Sequence, residues 1–276
     1  MNDRERQEPE AGPESLTTSE SGNDGSPASP TQTFEREGLA AAHTDEQSAL
    51  LGALPLDEYG HLIGQFASER LQLKQTLIEP NTPIQDIYFP RMGVCSMLAD
   101  QQEGGTIEVG TIGPEGFIGI PVLLGGDSMP YRVIVQIEGD AWRVPASVFR
   151  RIVDERPITR HLLLRYTQYF ANQLSQSVAC NRLHTLEERC ARWILMTHDR
   201  VHGDTFEMTQ EFLSMMLGVH RPAVSLAMGV LQNAGFVGYS RGRVIVLDRA
   251  MLEEASCGCY GITRKEQERL LRVRTR

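Results

Sequence analysis

Apolar positions run along this chain in four successive textures. Residues 1–38 contain only five of them: Met1, Ala11, Leu16, Ala28 and Phe34. Ser, Thr, Pro, Gly and Glu fill most of the rest. Such a segment buries too little surface to offset its chain entropy, so it is expected to be a disordered, solvating tail, with a regulatory arm as the lesser reading. Order is expected from near Leu50. Tyr59, Leu62, Ile63 and Phe66 follow Pro55, Asp57 and Glu58 at near-helical spacing, which predicts a short helix.

From Leu71 to Val144 the texture becomes short runs of β-formers. They are Leu71–Ile78, Ile84–Phe89, Gly93–Leu98, Thr106–Ile112, Val133–Ile137 and Asp140–Val144. Pro80-Asn81, Pro90, Gly104-Gly105, Gly113-Pro114, Gly125-Gly126 and Gly139-Asp140 punctuate them. Short strands at about 8–12-residue spacing with turn signals predict an antiparallel sandwich or roll. No long helical segments separate them, which argues against a doubly wound parallel sheet.

Helical spacing then takes over. Pro145 opens a short helix through Val153, and Pro157 suits the first turn of a longer one. Along the latter, Leu163, Tyr166, Phe170, Leu174 and Ser177 or Val178 form one narrow stripe. Arg160, Arg165, Gln168, Asn172 and Gln176 make the remainder polar. The stripe can pack on the chain's own strands or pair with its copy in a homodimer, and a narrow seam on a long helix favours the copy. After a break at His184-Thr185, a helix from Leu186 to about His198 carries Cys190, Trp193, Ile194 and Met196 or Thr197 on its core side.

Met208 to Leu247 is the most informative stretch. Thr209 can cap a helix Gln210–Leu217 that buries Phe212, Leu213, Met216 and Leu217, with Glu211 in its first turn. Gly218-Val219-His220 makes a tight turn. A second helix tolerates Pro222 in its first turn and buries Val224, Ala227, Met228, Leu231 and Ala234, with Gly235 at its C-terminal cap. Two helices joined this way are either an ordinary helical hairpin or a helix-turn-helix, whose second helix enters the major groove. Tyr239–Leu247 reads as a hairpin turning at Ser240-Arg241-Gly242. That adds a wing with Arg241 and Arg243 at its tip, which favours the helix-turn-helix.

Charge changes the picture only once it is divided. The 276 residues carry a net charge of −9, which taken whole argues against nucleic acid. Residues 1–38 hold 3 basic and 9 acidic side chains, and residues 39–186 hold 11 and 16. Residues 187–276 hold 13 and 11, so the last third is the basic one. Association with DNA depends on the field of one face. No apolar run approaches the roughly 18 residues of a membrane span, and the acidic start is unlike a secretory signal. Five scattered cysteines make no disulfide framework, so a reducing cytoplasm is the expected location.

In order and in motif the chain resembles the Crp/Fnr family of bacterial transcription regulators over about residues 50–256. The matching residues are Gly113-Pro114-Glu115-Gly116-Phe117-Ile118-Gly119, Glu188-Arg189-Cys190-Ala191-Arg192-Trp193-Ile194-Leu195, and Thr209-Gln210-Glu211-Phe212-Leu213 through Leu217-Gly218-Val219-His220-Arg221. The resemblance implies a homodimer on a two-fold-symmetric operator that recruits or blocks RNA polymerase. It also implies an α+β fold: an N-terminal antiparallel, jelly-roll-like β-roll, a long dimerisation helix and a C-terminal winged helix-turn-helix. The expected divisions are an acidic tail at 1–43, a sensor-like roll at 44–156, the dimer helix at 157–184, the DNA-binding domain at 185–256 and a C-terminal tail at 257–276.

Site expectations follow from the same match. Thr209, Gln210, His220, Arg221, Pro222, Ala223, Ser225, Leu226, Arg241 and Arg243 are expected at double-stranded DNA. Arg221 matches the family arginine that reads guanine or clamps phosphate. The next reader positions fall on Pro222 and Leu226, which donate no hydrogen bonds, so the family's usual operator is not carried over. Ala223 or Leu226 can touch a thymine methyl, and Ser225 is a base contact or an exposed neutral position. Leu163, Tyr166, Phe170, Leu174 and Ser177 are the expected dimer interface.

Departures bear on the effector. Nucleotide-binding relatives carry a ribose-binding Glu after Phe-x-Gly and a phosphate-binding Arg about ten residues on. Here Gly119 is followed by Ile120-Pro121, the arginine position holds Pro130, and the nearest arginine is Arg132. Cyclic AMP is therefore not expected. Gly116, Phe117, Gly119 and Arg132 remain the candidate contacts of an unknown small-molecule effector, unless the roll is a ligand-free scaffold. Residues 1–94 hold no cysteine, so the family's N-terminal iron–sulfur cluster is not expected. Cys257-Gly258-Cys259 is half of a zinc site with no histidine clustered nearby in sequence, so structural or incidental thiols are expected ahead of redox sensing and of metal binding, and no metal or cofactor is expected. Enzyme signatures are missing, and the glycines at 113, 116 and 119 read as turns. Two other readings stay open: a sensing module with a non-functional DNA domain, and an enzyme on the β-roll scaffold.

Overall fold

The computed structural model describes residues 48–100 and 105–271. The expected acidic tail at 1–43 lies outside the described residues. A single 3-10 turn at Leu51–Ala53 leads into α1 (Leu56–Ile63), and Leu50, Leu51, Leu54 and Leu62 bury themselves against the roll.

The roll is antiparallel throughout, in two sheets. One has the order β1 (Ala67–Leu71), β7 (Gly139–Pro145), β3 (Asp86–Pro90). The other has the order β2 (Thr76–Ile78), β6 (Arg132–Ile137), β4 (Val94–Asp100), β5 (Thr106–Ile112). The single strand expected over Leu71–Ile78 is two strands in different sheets. Lys74 sits at φ 66° and Gln72 N–H donates to Gln75 Oε1 at 2.9 Å, which turns the chain between them. Past Gly119 a one-turn helix, α2 (Ile120–Leu123), stands where sequence reading saw only turns.

After α3 (Ala146–Glu155) comes the 27-residue α4 (Pro157–Leu183), whose surface divides into three faces of about a third of the circumference each. One face packs on the roll. Leu163, Tyr166 and Phe170 are buried there, Tyr166 lies 5.2 Å from Phe117 between ring centroids, and Phe170 and Leu174 lie over Gly110. The second face holds α9 (Cys259–Leu271): Tyr169 OH donates to Gln267 Oε1 at 3.2 Å and Asn172 Nδ2 to Glu266 Oε2 at 3.0 Å. The third face, His161, Leu164, Gln168, Ala171, Ser175, Val178 and Arg182, is exposed at alternating steps of three and four residues.

The expected C-terminal tail is therefore ordered helix through Leu271, with residues 272–276 outside the described residues. Its buried stripe, Tyr260, Thr263, Gln267, Leu270 and Leu271, has helical spacing. Two of those members are polar, so the stripe does not stand out as apolar.

The winged domain comprises α5 (Leu186–His198), β8 (Thr205–Glu207), α6 (Gln210–Leu217), α7 (Arg221–Asn233), β9 (Val237–Ser240), β10 (Arg243–Val246) and α8 (Arg249–Ala255). Thr185 and Glu188 form a reciprocal capping box that starts α5 after the break. Its sheet has the order β8-β10-β9, so the wing has a third strand that the sequence reading did not find.

Roll and winged domain meet directly. Leu98 of β4 enters the winged core, and Trp193 Nε1 donates to Glu108 Oε1 at 3.1 Å. Burial pushes the Glu108 carboxyl up to about 7, against the hydrogen bonds it accepts. Deeper in, Arg200 donates to Glu115 Oε1 through Nη2 at 2.7 Å and Nε at 3.0 Å, with both side chains 5% exposed. Burial opposes the guanidinium charge, but Glu115, with Tyr169 and Asp199 nearby, outweighs it and holds Arg200 above its ordinary pKa.

Candidate nucleic-acid interface

The turn between α6 and α7 is made by Gly218 in the left-handed conformation, φ 64°, whose N–H closes onto Met215 and Ser214 carbonyls. Any residue with a Cβ is strained there. Thr209 caps α6 by accepting from Phe212 N–H at 3.1 Å. Val224, Ala227, Met228 and Leu231 fix α7 from below, each at most 2% exposed. The outward face of α7 is left free: Arg221 and Pro222 are exposed, Leu226 is 74% exposed and Val230 52%.

Most expected contact residues share this surface. His220 precedes α7 and is exposed with no capping bond, and Ala223 is half-buried beside Pro222. Ser225 is largely engaged elsewhere: its hydroxyl donates to Gln210 Oε1 at 2.7 Å and so ties α7 to α6. The Gln210 amide NH2 is thereby left as the donor, while Gln210 N–H donates to Tyr239 OH at 3.1 Å. Val230 was missed, although it stands four residues beyond Leu226, itself four beyond Pro222. That spacing marks an outward apolar stripe suited to thymine methyl groups.

At the wing, Arg241 and Gly242 have φ of 50° and 77°, the two positive values of a type I′ hairpin turn. Arg241 is exposed at its tip. Arg243 leans on Glu207 at 3.4 Å, an exposed pair that holds it weakly. Arg221, Arg241 and Arg243 are thus the cations of this face that can meet phosphate.

The remaining site expectations are placed differently. Phe117 is fully buried, stacked on Phe89 and tilted against Tyr166, while a Cβ at Gly116 would strike the Tyr166 ring and one at Gly119 would strike Ile87. Arg132 is paired with Asp100 between the ends of the neighbouring inner strands β6 and β4. Tyr166 of α4 fills the space in front of Gly116 and Ile87 of β3 that in front of Gly119, so Phe117 and the two glycines belong to the core and Arg132 to the surface. The expected dimer seam is corrected likewise. Leu163, Tyr166, Phe170 and Leu174 face the chain's own roll, and Ser177 accepts from Arg192 Nη2 at 3.3 Å. The cysteines gain neighbours that the sequence separates: Cys180 and His184, remote in sequence, stand beside Cys257 and Cys259.

No single helix among the described residues is long and apolar enough to cross a membrane.

Comparison with known proteins gives the following. The cyclic nucleotide-binding domain matches residues 68–156, and the Crp-like helix-turn-helix domain matches residues 188–255. No curated protein matches the whole chain or a part of it. Among solved structures, FixK2 from Bradyrhizobium japonicum is 16% identical over 70% of this chain and 98% of its own, with a TM-score of 0.60. A Crp-family transcriptional regulator from Thermus thermophilus is 20% identical over 68% of this chain and 96% of its own, at 0.59. The c-di-GMP responsive global regulator CLP of Xanthomonas campestris is 12% identical over 70% and 99%, at 0.57. At these identities the likeness speaks for the fold.

Proposed function

We propose that the chain, which carries the cyclic nucleotide-binding and Crp-like helix-turn-helix domains in this order, is a DNA-binding transcription regulator of the Crp/Fnr family that acts as a homodimer on a two-fold-symmetric operator, each protomer presenting α7 to one of two successive major grooves. One observation carries this reading: the face of α7 from Arg221 to Val230 is fixed from below by a packed core yet covered by nothing among the described residues of its own chain. Arg221, Arg241, Arg243 and the start of α7 supply phosphate contacts, while Pro222, Leu226 and Val230 bias base reading toward thymine methyls.

The third face of α4 supports the dimer. Leu164, Val178 and the small Ala171 and Ser175 lie on a heptad-spaced exposed stripe, where two copies of the helix can approach closely. This stripe replaces the one that packs on the roll.

The effector is not cyclic AMP in this reading. Ile120-Pro121 stand where a ribose carboxylate is needed, Arg132 is held by Asp100, and the carboxylate of this loop, Glu115, is committed to Arg200. The roll transmits its state through the contacts of Glu115 and Glu108 with the winged domain, in the cytoplasm, with RNA polymerase as a further partner.

Selection from a random DNA library with the purified chain tests the function. A palindrome with half-sites about one helical turn apart is expected. Arg221→Ala is expected to weaken that site by about 1–3 kcal/mol in a salt-matched gel shift. No enrichment, or equal affinity of variant and parent, refutes the reading.

A further inference from the structure

Three cysteines are buried together at the junction of α4, α8 and α9, apart from the two large apolar cores: Cys180 at 1% exposure, Cys257 at 4% and Cys259 at 2%. All are free thiols. Half-buried His184 joins them, and the four donor atoms all lie within 4.8 Å of one another. Cys180 Sγ is 3.5 Å from Cys257 Sγ, and Cys259 Sγ is 3.5 Å from His184 Nδ1. A tetrahedral ion with metal–sulfur bonds of about 2.3 Å and a metal–nitrogen bond of about 2.0 Å places its ligand atoms roughly 3.5–3.8 Å apart. The thiols and imidazole therefore already stand near the corners such an ion requires.

We infer that Cys180, His184, Cys257 and Cys259 form a mononuclear Cys3His site for a borderline-soft divalent cation, zinc by the chemistry of its donors. The set is closed, with four protein ligands and no place for a reacting water, so the ion is structural. Charge and outer contacts agree. Three thiolates and a dication leave one negative charge, and the buried Arg192 guanidinium lies within electrostatic reach of Cys180. Gln176 Nε2 is 3.0 Å from Cys259 Sγ, an N–H···S contact of the kind that orients a thiolate ligand. The donors are too close together to span a binuclear iron–sulfur cluster.

The site has a mechanical consequence. Cys180 lies in the last turn of α4, and His184 is that helix's C-terminal cap, one residue before the cap of α5. Cys257 and Cys259 flank the start of α9. One ion would pin α9 along α4 at the hinge from which the winged domain departs.

The test uses the full chain, purified under reductant and inert atmosphere, with metals counted by mass spectrometry of the elements and thiols counted by a chromogenic disulfide. About one zinc per chain is expected, released stoichiometrically when a mercurial blocks the thiols. Replacement by cobalt(II) should give the intense visible bands of a tetrahedral thiolate site. Cys180→Ser, Cys257→Ser and His184→Ala should each lose most of the metal, while Cys95→Ser, a buried thiol in the roll, should keep it. If a variant fails to fold, the parent protein decides: chelation should lower its melting temperature and expose the amides of α9 to hydrogen exchange. Metal well below one per chain with five reactive thiols, an iron–sulfur absorption spectrum, or a Cys180–Cys257 disulfide in the peptide map overturns the inference.

Discussion

Replacing Glu115 by Gln removes one charge from the buried junction between roll and winged domain while keeping the side-chain volume. In the parent, Glu115 Oε1 accepts from Arg200 Nη2 at 2.7 Å and Nε at 3.0 Å, and from Gly113 N–H at 3.2 Å. Gln keeps a carbonyl for these donors, so two charge-assisted bonds become bonds to a neutral acceptor, a loss of about 1 kcal/mol each. The guanidinium also remains buried, with Met196 O and Gln173 Oε1 as its further acceptors among the described residues, and an uncompensated buried charge brings such losses toward about 3–5 kcal/mol. The expected destabilisation is therefore about 2–4 kcal/mol. The chain's two tryptophans make the assay specific, since Trp142 lies on β7 of the roll and Trp193 on α5 of the winged domain. Urea unfolding in Trp142→Phe and Trp193→Phe backgrounds reports each half separately. Arg200→Met should cost a similar amount, and the double variant Glu115→Gln/Arg200→Met clearly less than the two together. A cost below about 1 kcal/mol, or strict additivity, would show that the pair does not couple the halves.

Other consequences can be checked independently. Glu108 holds its proton in the folded chain up to about 7, against 4.5 as its ordinary value, so between those pH values the folded state binds more protons than the unfolded one. Stability should fall as pH rises through that window and level off above it, and Glu108→Gln should flatten the slope in denaturation series. Gly116→Ala would drive a Cβ into the Tyr166 ring, so an overpacking cost of about 1–3 kcal/mol is expected; an unchanged urea midpoint would contradict the close approach of α4. Val178→Asp puts a charge on the exposed α4 stripe. It should convert a two-chain species into a 30.8 kDa single chain in sedimentation, whereas an unaffected dimer would move the interface elsewhere.

The regular patterns of this chain were legible before any coordinates. Strand runs broken by glycine, the long helix from Pro157 and the glycine turn before Arg221 depend on neighbours along the chain, and the hairpin at Arg241-Gly242 follows from backbone conformations that few residues adopt. The boundaries Gln210–Leu217 and the break at His184-Thr185 came out as expected for that reason. Tertiary structure decided which surface each pattern would cover. A stripe such as Leu163, Tyr166, Phe170 and Leu174 states that one face of a helix is buried, but burial by its own sheet and burial by a second copy look alike in sequence. Glycines 116 and 119 read as turns, and Gly116 N–H does bond to Gly113 O while Gly119 has φ 118°; what the pattern did not show is that Tyr166 and Ile87 also occupy the space of a side chain there. Helix α9 went unseen because two polar residues interrupt its apolar stripe: Thr263, which donates back to Cys259 O of its own helix, and Gln267, which accepts from Tyr169 of α4. Cys180 and His184 reach Cys257 and Cys259 only because α9 folds back along α4, bringing together residues more than seventy positions apart. A linear pattern registers local periodicity, whereas such a meeting depends on chain reversal and packing.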